Sequence, residues 1–340
     1  MTKRSKLIGR RNVVTAGTLW PLAMMLPGAS SAALRRVTIG ANPAGTNFNV
    51  IAGGFAQLIQ RRLGIPSIVR PYAGSSAYVP LLHRGEITLG INASIDSYLA
   101  YRGEAPYIAP LTRIRALMAI YPLGYAYWVK ASSGLRRLED LRGRRVVLNY
   151  RSLVQLSRLN RAILASAGLG EQDVEVVTAA GLPEGASLVA EGRADACAMG
   201  YRLPLVLQMQ ATIPGGLRFL PVGGDEAKVG EIMPGAWVDT IEPSGTTVGI
   251  DGPIRVAMYD TYLTAGLHIE DEDAYRLVEL LYGSWEELQR DYTLLADVPR
   301  SSLVPSNNPL PYHAGAVAYF KDAGLWTEEH ERTQTRLLGG

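Results

Sequence analysis

The sequence predicts an α/β fold of two similar, hinge-linked, Rossmann-like lobes. Three observations predict it. Strand-type and helix-type segments alternate along most of the chain. The same order of elements occurs twice, about 107 to 109 residues apart. Apolar β-type runs follow each repeat, where a chain crossing between lobes would lie. A length of 340 residues suits two domains, and a hydrophobic share of 47% is ample for two cores.

The first repeat opens with the strand Arg36-Val37-Thr38-Ile39-Gly40 and the loop 41–46. A helix follows, with Ile51, Phe55, Leu58 and Ile59 on one face at the 3.6 period, and stops near Leu63-Gly64. A short strand, Ile68-Val69-Arg70, leads to Gly74-Ser75-Ser76 and a second helix carrying Leu81 and Leu82. Arg84-Gly85-Glu86 closes that helix, and 87–91 is a strand. The second repeat has the strand 145–149, the loop Tyr150-Arg151-Ser152 and a helix striped by Leu153, Leu156, Ile163 and Leu164, ending at Ala167-Gly168. A strand at 174–177, a helix opened by Pro183-Glu184-Gly185, and a turn and strand over 191–198 complete it. Each helix follows closely on a strand, as right-handed crossover units require.

Two β-type runs, 114–120 and 124–129, stand between the repeats, and another, 254–259, follows the second. The C-terminal part is helical. Acids at 270–273 open one helix, with Tyr275, Val278 and Leu281 inward. Another runs from near Pro311 to before Gly324, with Ala316, Tyr319 and Phe320 inward. One lobe is therefore expected from 33–124 with 255–340, and the other from 125–254.

Residues 1–32 read as a secretory signal. Lys3, Arg4, Lys6, Arg10 and Arg11 form a basic head, 13–26 is a short apolar stretch, and Ser30-Ser31-Ala32 offers small residues for a cut. The stretch is too short for a membrane span. Arg10-Arg11 also suits the twin-arginine route, so either export route is open. The formal charge is +3, from 34 bases and 31 acids. Removing the five bases of the signal would leave 29 against 31, so the balance does not argue for nucleic acid. Cys197 is the one cysteine, which excludes an intrachain disulfide and cysteine-built zinc sites, and none stands at the cut for a lipid anchor. It lies in an apolar run and reads as a buried thiol.

Catalytic and cofactor patterns are missing. Gly40 and Gly45 have the spacing of the outer glycines of a phosphate loop, but no Lys follows Gly45. There is no dinucleotide glycine triplet after a strand and no nucleophile elbow. His83, His268, His313 and His330 are scattered, and His83 reads as meeting the dipole at a helix end. Neither a catalytic residue, a metal nor a cofactor is assigned.

What remains is a set of helix starts at the C-terminal ends of strands, the edge where open α/β sheets bind ligands. Backbone N–H groups there attract anions without a basic side chain. The candidates in the first repeat are Gly45, Thr46 and Asn47, then Ser75 and Ser76, then Asn92 and Ser94 at a strand end. The second repeat offers Tyr150, Arg151 and Ser152, then Tyr201. Arg151 has the fork that pairs with a carboxylate. Each also has a plain use, as a cap or a surface charge. The functional reading rests on their convergence at a cleft that closes by hinge rotation.

The order Val37-Thr38-Ile39-Gly40, Ala44-Gly45-Thr46 and an apolar helix resembles the opening of TAXI-type solute receptors. Arg70-Pro71-Tyr72-Ala73-Gly74-Ser75, the segment 81–90, and Pro311-Tyr312-His313-Ala314-Gly315-Ala316 with Ala323-Gly324-Leu325 resemble further parts of that family. The segment 138–146 is similar to the lead into the second lobe of type II periplasmic binding proteins. The resemblance covers nearly the whole chain after the signal. It implies a type II periplasmic-binding fold without catalysis, binding a small carboxylate or amino acid. It also implies integral-membrane partners in an ion-gradient-driven, tripartite ATP-independent periplasmic (TRAP) transporter. Tyr150-Arg151-Ser152-Leu153 and Asn47-Phe48 depart from the family pattern where the ligand is expected. A sensor presenting its liganded form to a membrane kinase, and a periplasmic enzyme, share this fold.

Overall fold

The computed structural model describes residues 1–2, 34–244 and 247–339. The expected signal segment therefore lies almost wholly outside the described residues. The first repeat is β1 (Val37–Ala41), α1 (Asn47–Leu63), β2 (Ser67–Pro71), α2 (Ser75–Arg84) and β3 (Leu89–Ala93), then α3 (Ser94–Arg102). A long strand, β4 (Ile114–Lys130), leads to the second: β5 (Arg145–Tyr150), α4 (Val154–Ala165), β6 (Glu175–Ala179), α5 (Leu182–Ala190), β7 (Ala196–Gly200) and α6 (Pro204–Thr212). Next come β8 (Leu217–Phe219), α7 (Ala227–Ile232), β9 (Ala236–Ile241) and the long β10 (Ile254–Gly266). The chain ends in α8 (Asp271–Gly283), α9 (Trp285–Asp291), α10 (Ala314–Asp322) and α11 (Glu328–Leu338).

The strands form one sheet in the order β2-β1-β3-β10-β4-β7-β5-β6, with β8 on β4 and β9 on β10. Within each repeat the three strands are parallel, β2-β1-β3 and β6-β5-β7. The repeats are joined by β4 and β10, which are antiparallel to each other and run through both halves. Residues 261–265 of β10 pair with β3 of the first repeat, and 125–129 of β4 pair with β7 of the second. This is a two-lobed α/β architecture whose lobes share two continuous strands.

The runs 114–120 and 124–129 form one strand because Pro122 sits where it does no harm. It stands opposite Asp260 of β10, and the other edge of β4 gains its β7 partner only from Tyr125 onward. A register shift between Thr261 and Tyr262 marks the same place. β3 begins at Leu89, two residues later than expected, and α3 follows it at once. The periodicity of α3 is weak because Ser94, Asp96 and Ser97 are buried among apolar residues.

The α1 face of Ile51, Phe55, Leu58 and Ile59 is buried as its spacing requires. Gly64 ends α1 at φ 68°, a left-handed conformation that suits glycine. Gly64→Ala is expected to lower stability by about 1 kcal/mol, measured by urea unfolding.

Candidate functional site

A cavity of about 340 Å³ lies between the two repeats. The first repeat contributes residues 42–46 and Ala73, and the second contributes 152–153, 181–183 and 203–205. Four helices begin at its wall. Thr46, Leu153, Gly181 and Leu203 are the cap residues of α1, α4, α5 and α6. Thr46 accepts a hydrogen bond from Asn49 N at 3.4 Å. The other three caps give no side-chain hydrogen bond to the first turn. The positive ends of four helix dipoles therefore border one space, although the third amides of α1, α4 and α6 are already bonded to Thr46, Leu153 and Leu203. Pro183 and Pro204 lack N–H groups, so the donors of α5 and α6 are fewer. Among the described residues no Lys or Arg lines the cavity, and Leu153, Leu182, Leu203 and Leu205 give it an apolar wall.

The repeats touch closely beside it. A Cβ on Gly74 would stand 2.5 Å from the Ser152 carbonyl oxygen, so only glycine permits this approach. Further contacts hold the halves together. Ser94 donates to Gly235 O at 2.9 Å, and the Arg158 guanidinium meets Glu104 at 2.5 Å.

Next along the same segments is a set of buried polar residues. Ser75, Asn92, Ser94, Asp96 and Gln155 are all buried. Tyr107 donates to Asp96 Oδ2 at 2.9 Å, and Gln155 Nε2 stands 3.5 Å from Ser75 Oγ. Asn92 Nδ2 donates to Thr264 Oγ1 at 2.7 Å. Burial pushes the Asp96 carboxyl up to about 6, against the Ser75 and Tyr107 hydroxyls, which favour its charge.

The expected residues fall into several groups. Gly45, Thr46 and Ser152 line the inter-repeat cavity. Ser75, Asn92 and Ser94 are buried, and Ser76 is half-buried next to Ser75. Asn47 and Tyr201 line another cavity of about 300 Å³, beside the crossing at 121–124. Tyr150 turns its ring into the core, where its hydroxyl donates to Ala198 O at 2.9 Å beside the Cys197 thiol. Arg151 is exposed, 3.8 Å from Glu184, and shares an open groove with Glu104, Arg158 and Arg161. Cys197 is buried, and desolvation lifts its thiol to about 12.

His83 differs from its expected role. Burial chiefly, then the nearby Arg113 and Arg84, lowers its pKa, while a backbone hydrogen bond opposes them. Its Nδ1 accepts from Arg113 N at 3.3 Å, so it serves as a neutral acceptor rather than a charge on the helix dipole.

The sequence reading missed Asp96, Gln155, Gly181 and Leu203. The repeat contained a signal for one of them. Gly181 stands about 107 residues after Gly74, and both cap their helices. Asp96 lay in a helix with no clear stripe, and Gln155 looked like any polar residue of a first turn.

The fold resembles several solved structures at low identity. The alkanesulfonate-binding protein SsuA from Xanthomonas axonopodis pv. citri, bound to MOPS, has a TM-score of 0.50 and 16% identity, over 88% of this chain and 96% of that one. PhnD1 from Prochlorococcus marinus (MIT 9301), in complex with methylphosphonate, has a TM-score of 0.52 and 13% identity, over 78% and 88%. A periplasmic transporter has a TM-score of 0.52 and 14% identity, over 89% and 96%. No curated protein matches the sequence. The model of the NMT1-like family matches residues 39–324. The chain belongs to the NMT1-like family, and its two-lobed α/β fold is that of periplasmic solute-binding proteins.

Proposed function

We propose that the protein is an exported, non-catalytic solute-binding protein. It captures a small organic anion, a carboxylate or an amino acid, between its lobes. The meeting of four helix starts at the inter-repeat cavity carries this reading, because helix starts attract a negative group and no basic side chain lines the cavity among the described residues. Two similar structures are described with solutes that carry an acidic group, MOPS with a sulfonate and methylphosphonate with a phosphonate. The lobes on this reading are 33–124 with 255–340, and 125–254, hinging where β4 and β10 cross. The periplasm is the site of action, reached through the 1–32 signal. The TAXI-type resemblance supports delivery to the integral-membrane subunits of an ion-driven TRAP transporter.

A thermal-shift screen of carboxylates, amino acids, sulfonates and phosphonates tests it. An anion at about 100 times its Kd should stabilise the protein by about 2.7 kcal/mol. Stabilisation by cations or neutral sugars alone contradicts the reading. Closure should also depend on the Arg158–Glu104 pair, which spans the lobes and is partly exposed. Such pairs contribute up to about 1 kcal/mol. Glu104→Gln is therefore expected to weaken ligand affinity by about two- to fivefold, measured by calorimetric titration.

A further inference from the structure

The inter-repeat cavity offers a place for one charge and none for a second. Among the described residues no Asp, Glu, Lys, Arg or His lines it. Glu184 follows the lining residue Pro183, but its carboxylate accepts from Ala180 N and stands 3.8 Å from Arg151. The wall has two side-chain hydroxyls, and both already donate to backbone carbonyls. Thr46 donates to Pro43 O and Ser152 to Ala180 O, each at 2.7 Å. Asn42 adds one neutral amide. The wall is otherwise glycine, four leucines, three prolines and two alanines, which makes it mostly apolar. Leu153, Leu182, Leu203 and Leu205 are each only half-buried, so apolar surface is left uncovered there.

These walls select a ligand by what they lack. The four helix starts favour one negative group. An ammonium or a second carboxylate would leave water and find no partner, which is strongly disfavoured. Covering the leucines instead raises affinity by about fourfold for each methylene buried. A volume of about 340 Å³ is at the small end for a ligand cavity, so it suits one small molecule rather than a length of peptide. We infer that the ligand is a small acid with a single carboxylate and an apolar body, aliphatic or aromatic, rather than a dicarboxylate or an amino acid. This rests on the cavity being the ligand site, and it narrows the class of ligand proposed for it. The carboxylate meets the starts of α1, α4, α5 and α6. The body lies against the four leucines, all from the second repeat.

The test is calorimetric titration of the full-length protein with acids built on related skeletons. Acetate, butanoate and 4-methylpentanoate extend the apolar body. Leucine adds an ammonium to 4-methylpentanoate, and 2-methylglutarate replaces one of its methyls by a carboxylate. Phenylalanine and 3-phenylpropanoate form the aromatic pair. At least one of 4-methylpentanoate and 3-phenylpropanoate is expected to bind, at least about 30-fold tighter than acetate. Its counterparts with a second charged group are expected to be at least about tenfold weaker than it is. Leu205→Asn is expected to lower the affinity ratio of 4-methylpentanoate to butanoate by about threefold. An amino acid or the dicarboxylate binding as tightly as its apolar counterpart overturns the inference and leaves the anion site standing. So does an affinity that does not rise from acetate to the larger acids, or a ratio that Leu205→Asn leaves unchanged. A panel in which no acid binds overturns it too, and stabilisation by cations or neutral sugars alone takes the anion site with it. The wild-type series decides the matter even where Leu205→Asn folds poorly.

Discussion

Ala73→Glu should weaken binding of any anion that stabilises the wild-type protein by at least about 100-fold. Ala73 is exposed, lines the inter-repeat cavity and precedes the cap of α2, so the change costs little on folding. Its carboxylate would stand among the helix starts, in the space the ligand anion needs. At an effective dielectric of 20, two like charges about 5 Å apart repel by about 3 kcal/mol, which is about two orders of magnitude in affinity. The new carboxylate would also compete for the same amides. Ala73→Gln separates bulk from charge and should lose about tenfold or less. Titration calorimetry on the two variants decides it. Equal losses would mean that the cavity excludes by shape alone, and no loss in either would move the ligand elsewhere.

The second large effect is on stability against pH. The folded-state pKa of Asp96 lies near 6, against 3.8 for an unperturbed carboxyl, because burial disfavours its charge. The folded state therefore holds this proton more tightly than the unfolded chain does. Its contribution is fully present below about pH 4 and is lost as pH rises through about 6, a change of about 3 kcal/mol. Asp260 at the strand crossing is raised to about 6 by the same cause and adds a similar trend. His83, His268 and His313, lowered chiefly by burial, act with the opposite sign. Comparison with Asp96→Asn cancels these shared terms. Wild type minus Asp96→Asn, from urea unfolding, should fall by about 2.4 kcal/mol between pH 4 and pH 7. Parallel profiles would show that Asp96 is not strained by its burial.

Much of the fold could be read from the sequence because local and global signals agree. The apolar face of α1, the glycine ends of α1 and α2, and the doubled order of elements all point one way. The crossing was less legible. β4 reads as two runs because Pro122 interrupts it, and only the open edge beside that residue explains how one strand passes through. The site was legible as a principle more than as residues. Thr46 and Ser152 carry recognisable cap chemistry, but Leu153 and Leu203 do not, and their roles come from the helices they begin. Tyr150 and Arg151 share one loop with Ser152. The strand pleat sends the ring of Tyr150 inward, and Arg151 stays in solvent. Gln155 meets Ser75, and Asp96 meets Tyr107, only through packing that no local pattern announces.

A crystal structure of the protein with its retained or screened ligand tests the central claim most directly. The account predicts an anionic group between residues 42–46 and the starts of α4, α5 and α6, within hydrogen-bonding distance of backbone amides from both lobes. A ligand bound away from those helix starts, or held there by side-chain carboxylates as a cation, would contradict it.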